Sequence, residues 1–476
     1  MIYIEQIIKY FELFITYYSI SYGVIYVVMA VLSYKAIQNY NNAKYYLHKN
    51  ILIKSNHSTG VSIIAPAFNE SETIVYNVLS LLSQKYPKFE VIIVNDGSTD
   101  NTLFKLIQEF SLVKVDFFYQ EKIPTKLVVN HYKSTNPVFE KLLVVDKING
   151  KSKADASNAG INSSKYPLML CTDVDCILRK DTLAMLAKPF IESTIKVIAT
   201  GAAIRTSNSC EFKDGMLYKS HYPTNFFARF QELEYLRSYL FGRMAWSQIN
   251  SLILVSGGLG MFDKETVIEA GGYWSKSIGE DMELIIRMRQ MMHDRKEKFS
   301  IKYIPESLCW TEVPSDSKIF LRQRVRWSVG LVQALIFHKK MIFNPRYGVT
   351  GLIALPYFLF FEFATPILEI LGLTILIIDV LFYSVNYDLL LSVSILVYLF
   401  YVSITLISIY LDQLILKQYS NIKELMVLIM MVFLEPFLYH PITVYSYLKG
   451  YVSSLSNKEK KWGTMVRKGF NRAVEI

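Results

Sequence analysis

Cysteine is scarce in this chain: Cys171, Cys176, Cys210 and Cys309 are the whole supply among 476 residues, and no two stand in a Cys-x-x-Cys pair. That spacing excludes a disulfide framework and a zinc site, so the four read as reduced packing residues. A Gly-x-x-x-x-Gly-Lys-Ser/Thr loop is also missing, which argues against a phosphoryl or nucleotidyl transferase of the P-loop kind. There is no internal repeat and no low-complexity linker. Between Leu13 and Tyr34 charge is absent over 22 residues, and a membrane-spanning helix needs about 20. The stretch is long for a signal-peptide core and no small-x-small cleavage site follows, so an anchor is expected rather than a cleaved leader. Acids are absent from Lys35 until Glu70, while Lys35, Lys44, Lys49 and Lys54 are present. The positive-inside rule then places this side of the anchor in the cytoplasm.

The residues that are abundant point the same way. Hydrophobic residues make up 52% of the chain, room for one catalytic domain plus several spans. The net charge of +10 is concentrated beside apolar segments, notably at Lys449, Lys458, Lys460, Lys461, Arg467, Lys468 and Arg472. Anionic lipid headgroups are therefore the expected partner, and nucleic acid is not. From Gly348 to Val385 the sequence is apolar but broken by Pro356, Glu362, Pro366, Glu369 and Asp379. One helix of that length overshoots about 30 Å of hydrocarbon, so a hairpin, or a re-entrant piece plus one span, is expected. Leu389 to Leu411 reads as a span, and Leu425 to Leu434 begins another that meets Glu435-Pro436 and His440-Pro441. A cytoplasmic tail requires an even number of crossings after the catalytic part, which gives five in all.

Between these regions short β-rich runs alternate with longer amphipathic stretches. Val61 to Ala65, Val91 to Val94, Leu142 to Val145, Leu168 to Cys171 and Val197 to Thr200 predict strands, and Ser71 to Gln84 suits a crossover helix. The fold class is α/β with a mostly parallel sheet. In such a sheet ligands bind at the carboxyl ends of strands. Acidic cassettes lie at those ends: Val94-Asn95-Asp96-Gly97-Ser98-Thr99-Asp100, Cys171-Thr172-Asp173-Val174-Asp175 and Gly279-Glu280-Asp281. A fourth cassette, Gln323-Arg324-Val325-Arg326-Trp327, lies in an amphipathic basic segment, Ile319 to Phe343.

Each cassette has a chemical reading and a plainer one. Asp96 ends a strand before a glycine, so its carboxylate can accept from a uracil or ribose; an Asp-Gly turn capping the next helix is the plainer reading. Glu70 ends the preceding strand and puts a second acid on the same rim. Asp173 and Asp175 follow an apolar run, and hard divalent cations take one or two such carboxylates together with substrate phosphates. Asp281 opens a helix-like run, where capping is the ordinary role and Glu283 with Arg287 forms an i,i+4 pair. Arg326 can stabilise a departing diphosphate, and Trp327 can stack on a sugar face; the rest of that segment reads as a basic interfacial helix. The aromatics of Phe230 to Tyr235 can line a groove or simply pack.

Taken in order, Pro66-Ala67-Phe68-Asn69-Glu70, the Asn-Asp-Gly cassette, Gly150-Lys151-Ser152-Lys153-Ala154-Asp155-Ala156-Ser157-Asn158, the aspartate-x-aspartate, the Gly-Glu-Asp and the Gln-x-x-Arg-Trp resemble the membrane-embedded family 2 glycosyltransferases, which include cellulose, hyaluronan and poly-N-acetylglucosamine synthases. The resemblance covers Val61 to Trp327, and Trp462 to Gly469 is similar to tails of bacterial members. It implies a GT-A fold, a UDP-sugar donor, Mg2+ or Mn2+, and inversion at the anomeric carbon. It implies donor contacts for Glu70, Asp96, Lys153, Asn158 and Asp173, with the metal at Asp175. Asp281 is then the catalytic base, with Glu280 as the alternative, and Gln323, Arg326 and Trp327 serve the acceptor and diphosphate side. Lys151 reads as a solvated surface lysine.

The expected organisation is an anchor over 1–36, a basic juxtamembrane linker over 37–60, a cytoplasmic GT-A domain over 61–318, an amphipathic interfacial segment over 319–347, transmembrane helices over 348–448 and a basic cytoplasmic tail over 449–476. The expected activity is hexosyl or N-acetylhexosaminyl transfer onto a growing β-linked polysaccharide at the cell membrane, coupled to export. A non-processive enzyme adding one sugar to a lipid acceptor is the alternative, and a scaffold or transporter without catalysis is the alternative of another class. No accessory export subunit is named by the sequence.

Overall fold

The computed structural model describes residues 2–43, 58–213, 216–382, 387–415, 421–455 and 471–472. Most of the basic linker and of the tail, with Trp462 to Gly469, lies outside the described residues. A long helix α1 (Ile2–Ala43) precedes β1 (Val61–Ala67), α2 (Ile74–Leu82), β2 (Phe89–Asp96), α3 (Thr102–Glu109), β3 (Leu112–Val115), β4 (Val128–Ser134), β5 (Leu142–Lys147), α4 (Lys153–Ser163) and β6 (Leu168–Thr172). Next come β7 (Ile177–Leu178), α5 (Thr182–Glu192), β8 (Lys196–Thr206), a hairpin of β9 (Glu211–Lys213) and β10 (Met216–Lys219), and α6 (Phe226–Leu236). A π-helical stretch (Arg237–Arg243) carries α6 into α7 (Met244–Gln248). The globular part ends with β11 (Leu259–Asp263), α8 (Lys264–Glu269), α9 (Glu280–Asp294), β12 (Phe299–Thr311) and α10 (Ser317–Phe337). Beyond it lie α11 (Thr365–Phe382), α12 (Tyr387–Ile415), α13 (Ile422–Leu438) and α14 (His440–Ser454).

All five expected strands form, because strands covered on both faces are apolar on both, and β1 and β2 are buried at every residue. The sheet runs β3-β4-β5-β2-β1-β6-β11-β8-β12-β7. Parallel pairing makes the longest registers: β5-β2-β1-β6 is one parallel block and β8-β12 another. Antiparallel β11 joins them, with Leu259 opposite Thr172. The residues just before β11 therefore arrive at the rim where β1, β2, β5 and β6 end. Topology alone collects the chemistry there.

One continuous apolar core runs from the sheet (Ile63, Val91, Leu170) into the feet of the apolar helices (Ile37, Ile409, Leu428). Among the described residues three helices are long and apolar enough to cross a bilayer, Ile8–Asn42, Thr350–Phe382 and Leu390–Ile415; α13 and α14, bent by 48°, make a fourth if they count as one span. These candidates are fewer than the expected five crossings, and of the two forms expected for the stretch from Gly348 the hairpin does not occur. Pro356 does not reverse the chain: π-helical turns at Thr350–Ala354 and Phe358–Phe363 flank it, so the helix widens past the missing N–H and continues. The overshoot is resolved by burial of the first turns: Thr350, Gly351, Leu355 and Tyr357 are covered by protein, whereas Leu373, Ile377 and Phe382 face outward. Two of the three acids of this stretch find partners, Tyr357 Oη donating to Glu362 at 3.1 Å and His440 meeting Glu369 at 3.0 Å.

Candidate active site

Two loops at the ends of β1 and β2 are stitched to each other. Asn69 accepts from the Thr99 N–H at 2.8 Å, and Asp100 accepts from the Ser71 N–H at 3.1 Å. Glu70 lies half-buried on that rim with its backbone N–H bonded to Thr102 Oγ1 at 2.9 Å. Asp96 is buried at the last position of β2. Its Oδ1 accepts from Lys147 Nζ at 2.7 Å and from the Gly150 N–H at 2.9 Å, while its Oδ2 is buried without a partner. Burial raises the Asp96 carboxyl above its usual range, against the pull of Lys147 and Gly150. Gly97 must be glycine: its φ is +63° and a Cβ would sit 2.7 Å from the Asn149 backbone nitrogen.

Lys147 and Asp155 escaped the reading of the sequence. Lys147 is fully buried and also pairs with Asp155 Oδ2 at 2.5 Å. The available signal was a lysine ending β5, but its meaning depends on register, because Lys147 is the cross-strand neighbour of Asp96.

The other acids gather around Gly257 and Gly258, which the sequence reading also passed over. A Cβ on Gly257 would stand 3.1 Å from Asp281 Oδ2 and 3.3 Å from Lys153 Nζ; one on Gly258 would stand 3.4 Å from Cys176 Sγ and 3.5 Å from Asp173 Oδ2. Bare backbone thus keeps open the space that the aspartate-x-aspartate, the lysine and the Gly-Glu-Asp share. Lys153 is ion-paired to Asp173 and donates to the Gly257 carbonyl at 2.9 Å. Burial works against its ammonium, but Asp173, Glu280 and Asp281 outweigh that and raise its pKa. Asp175 is buried, and its Oδ2 accepts from Thr311 at 3.2 Å, while Val174 points into the core. One ligand atom from each of Asp173, Asp175 and Cys176 falls within 4.8 Å of the others, a donor set that fits a divalent cation.

Glu280 and Asp281 begin α9, packed so closely against α10 that a Cβ on Gly279 would lie 3.0 Å from Gly330. Glu283 does pair with Arg287, at 2.7 Å, and also meets His338 of the following turn at 3.4 Å. Arg326 of α10 lies close enough to influence Glu280. Burial and the neighbouring Asp281 carboxylate push Glu280 up to about 7. Gln323 Oε1 is buried without a partner, and Trp327 is 36% exposed, so its ring remains available to stack. The Arg324 guanidinium packs 4.1 Å from that ring.

Two expectations meet a different geometry. The Asn158 amide is committed to backbone, donating to Tyr273 O at 2.8 Å and accepting from Tyr273 N at 2.8 Å, so it braces the loop before α9 and does not line the rim. Arg324 is not part of a solvated basic face: it is fully buried and paired with Glu234, because α14 and α6 cover that side of α10. Phe230 and Tyr235 pack in the core.

The profile of the family described as "Glycosyltransferase like family 2" matches residues 58–330. A poly-beta-1,6-N-acetyl-D-glucosamine synthase of Staphylococcus epidermidis is 28% identical over 293 residues, 61% of this chain and 59% of that protein. One of Staphylococcus aureus is 26% identical over 326 residues, 68% of this chain and 66% of that protein. The alignments thus span less than two thirds of these relatives' own lengths. Among solved structures, the mannosyltransferase PcManGT of Pyrobaculum calidifontis, in complex with GDP-Man and Mn2+, superposes with a TM-score of 0.55 at 17% identity, covering 90% of this chain and all of that one. The sheet and its helices have the GT-A fold.

Proposed function

Because the chain belongs to glycosyltransferase family 2, we propose that it transfers a sugar, N-acetylglucosamine, from a UDP donor to the end of a growing β-linked polysaccharide. The sugar is chosen from the names of the relatives above. The observation that carries the reading is the convergence of Asp173, Asp175, Lys153, Glu280, Asp281 and Arg326 on the open ground beside Gly257 and Gly258.

In this reading the unpartnered Oδ2 of Asp96 receives an N–H of the base, with Lys147 fixing the carboxylate and Glu70 on the same rim. Lys153 and Asp173 address the donor phosphates and ribose. When bound at Asp173 and Asp175, Mg2+ or Mn2+ supplies charge neutralisation for the diphosphate. Asp281 takes the proton of the acceptor hydroxyl as its oxygen bonds to the anomeric carbon on the face opposite the departing UDP, which inverts that carbon. Arg326 meets the leaving diphosphate, while Trp327 and Gln323 hold the acceptor. Helices long and apolar enough to cross a bilayer support a seat in the cell membrane, and Lys35 with the lysines after it favours a cytoplasmic rim. The product then leaves beside the segment that begins at Thr350, in line with export.

The test uses full-length protein in detergent with radiolabelled UDP-N-acetylglucosamine. A ladder or high-mass product sensitive to a β-hexosaminidase is expected; a single sugar on an extractable lipid sinks the polymerase reading, and absence of UDP release with any UDP-sugar sinks transfer itself.

A further inference from the structure

The residue after the aspartate pair is a cysteine, and the local backbone turns it toward the acids. In extended chain Cys176 would point away from Asp175. Instead the Cys176 N–H donates to the Asp173 carbonyl at 3.0 Å, and this tight turn brings residue 176 back to the side of residue 173. Its sulfur and one oxygen from each aspartate then lie within 4.8 Å of one another. Gly258 faces the sulfur and Asp173, and a side chain there would touch Cys176 Sγ at 3.4 Å and Asp173 Oδ2 at 3.5 Å. Asp175 is steadied from behind by Thr311. The Cys176 thiol is itself buried, beside Cys309.

Donor chemistry selects the ion. A site of oxygens alone suits Mg2+, which wants near-octahedral oxygen ligands and keeps several waters. A sulfur in the set favours ions that accept soft donors. We propose that Cys176 is a third protein donor of the metal site, so that the site discriminates against Mg2+ in favour of Mn2+ and takes Zn2+ and Cd2+ most tightly. The inference rests on the reading of Asp173 and Asp175 as the metal site. It removes Cys176 from the inert packing residues and makes thiophilic cations competitors for the site.

The experiment titrates full-length protein in detergent with Cd2+ and reads the ultraviolet sulfur-to-cadmium charge-transfer band. It compares the wild type, Cys176→Ser, Asp175→Asn, and a triple variant, Cys171→Ser with Cys210→Ser and Cys309→Ser, that retains Cys176 alone. The band is expected in the wild type and the triple variant and lost in Cys176→Ser, and Asp175→Asn weakens Cd2+ binding by about tenfold or more. UDP titrations of the wild type with Mn2+ and with chelator run in parallel and report on the metal reading separately. A band that survives Cys176→Ser, or no band in the wild type while Mn2+ still tightens UDP, overturns the sulfur donor and leaves the aspartates standing. A Cys176-dependent band beside UDP binding that ignores Mn2+ removes the sulfur from the donor site, and with it the proposal. Should Cys176→Ser fail to fold, the triple variant decides alone: a Cd–S shell in its X-ray absorption spectrum supports the proposal, and an all-oxygen shell refutes it.

Discussion

Around Gly257 and Gly258 the carboxylates of Asp173, Asp175, Glu280 and Asp281 outnumber the nearby cations, Lys153, Arg243 and Arg326. At the seam between the sheet and the apolar helices Glu232, Asp412 and Glu435 are buried too and Glu234 is half-buried, but each of these four is bonded to an arginine. Arg205 of β8 holds Glu232 and Asp412, Arg237 grips Glu435 with two bonds of 2.6 Å, and Arg324 takes Glu234 together with Tyr439. The same residue types serve two ends. Matched charge costs desolvation but locks elements in register, so the seam fixes how the helices meet the sheet. Surplus negative charge and open backbone at the rim are a poor choice for stability and a good one for a cation and a diphosphate.

The comparison breaks if rim variants lose stability or seam variants lose chemistry. The largest effect is expected from Asp281→Asn, whose amide keeps the shape but takes no proton: turnover should fall by about 100- to 10,000-fold with UDP affinity and melting temperature nearly unchanged. Near-normal UDP release from this variant rejects Asp281 as the base. At the seam, Glu435→Ala strands Arg237 in a buried setting and should cost about 3–5 kcal/mol of stability in thermal unfolding, whereas the paired Arg237→Met and Glu435→Leu change recovers most of it. A lowered UDP affinity in either would mean the two regions are not separate.

Within the rim the acids divide further. Asp175→Ala should abolish the metal-dependent part of UDP binding, and Asp96→Ala should weaken UDP by about 1.5–3 kcal/mol with the metal preference intact; the same defect in both, by calorimetry with and without Mn2+, would erase the division. The smallest effect is in pH. Glu280 has its pKa pushed up to about 7 by burial and Asp281, so the pair holds an extra proton below that value and transfer should decline as pH falls through about 7. Glu280→Gln leaves Asp281 without that carboxylate neighbour, and the acid limb should move to lower pH. An unmoved limb assigns it to another group.

How much of this was legible differs by residue. Asp96, Asp173 and Asp175 could be found because each follows a run of β-branched or apolar residues, and a strand end in an α/β sheet is a place, not merely a pattern. Asp281 could be found from its cassette. Lys147 could not, since its meaning comes from a parallel register that pairs it with Asp96 across 51 residues of chain. Nor could the fate of Arg324, because a basic residue on an amphipathic helix looks the same whether α14 covers it or water does.

Short-range order, then, was set by the chain itself: which segments are strands, which are long apolar helices, and which acids stand at their ends, all follow from periodicity and hydrophobicity that neighbours cannot overrule. Tertiary structure decided the rest. It chose which charges are neutralised and which are left facing open space. It carried the helix past Pro356 where a hairpin was expected, and it brought Gly257 and Gly258 against aspartates from other elements. The reason is physical: burial and Coulomb interaction depend on distance in space, and a linear sequence records only distance along the chain.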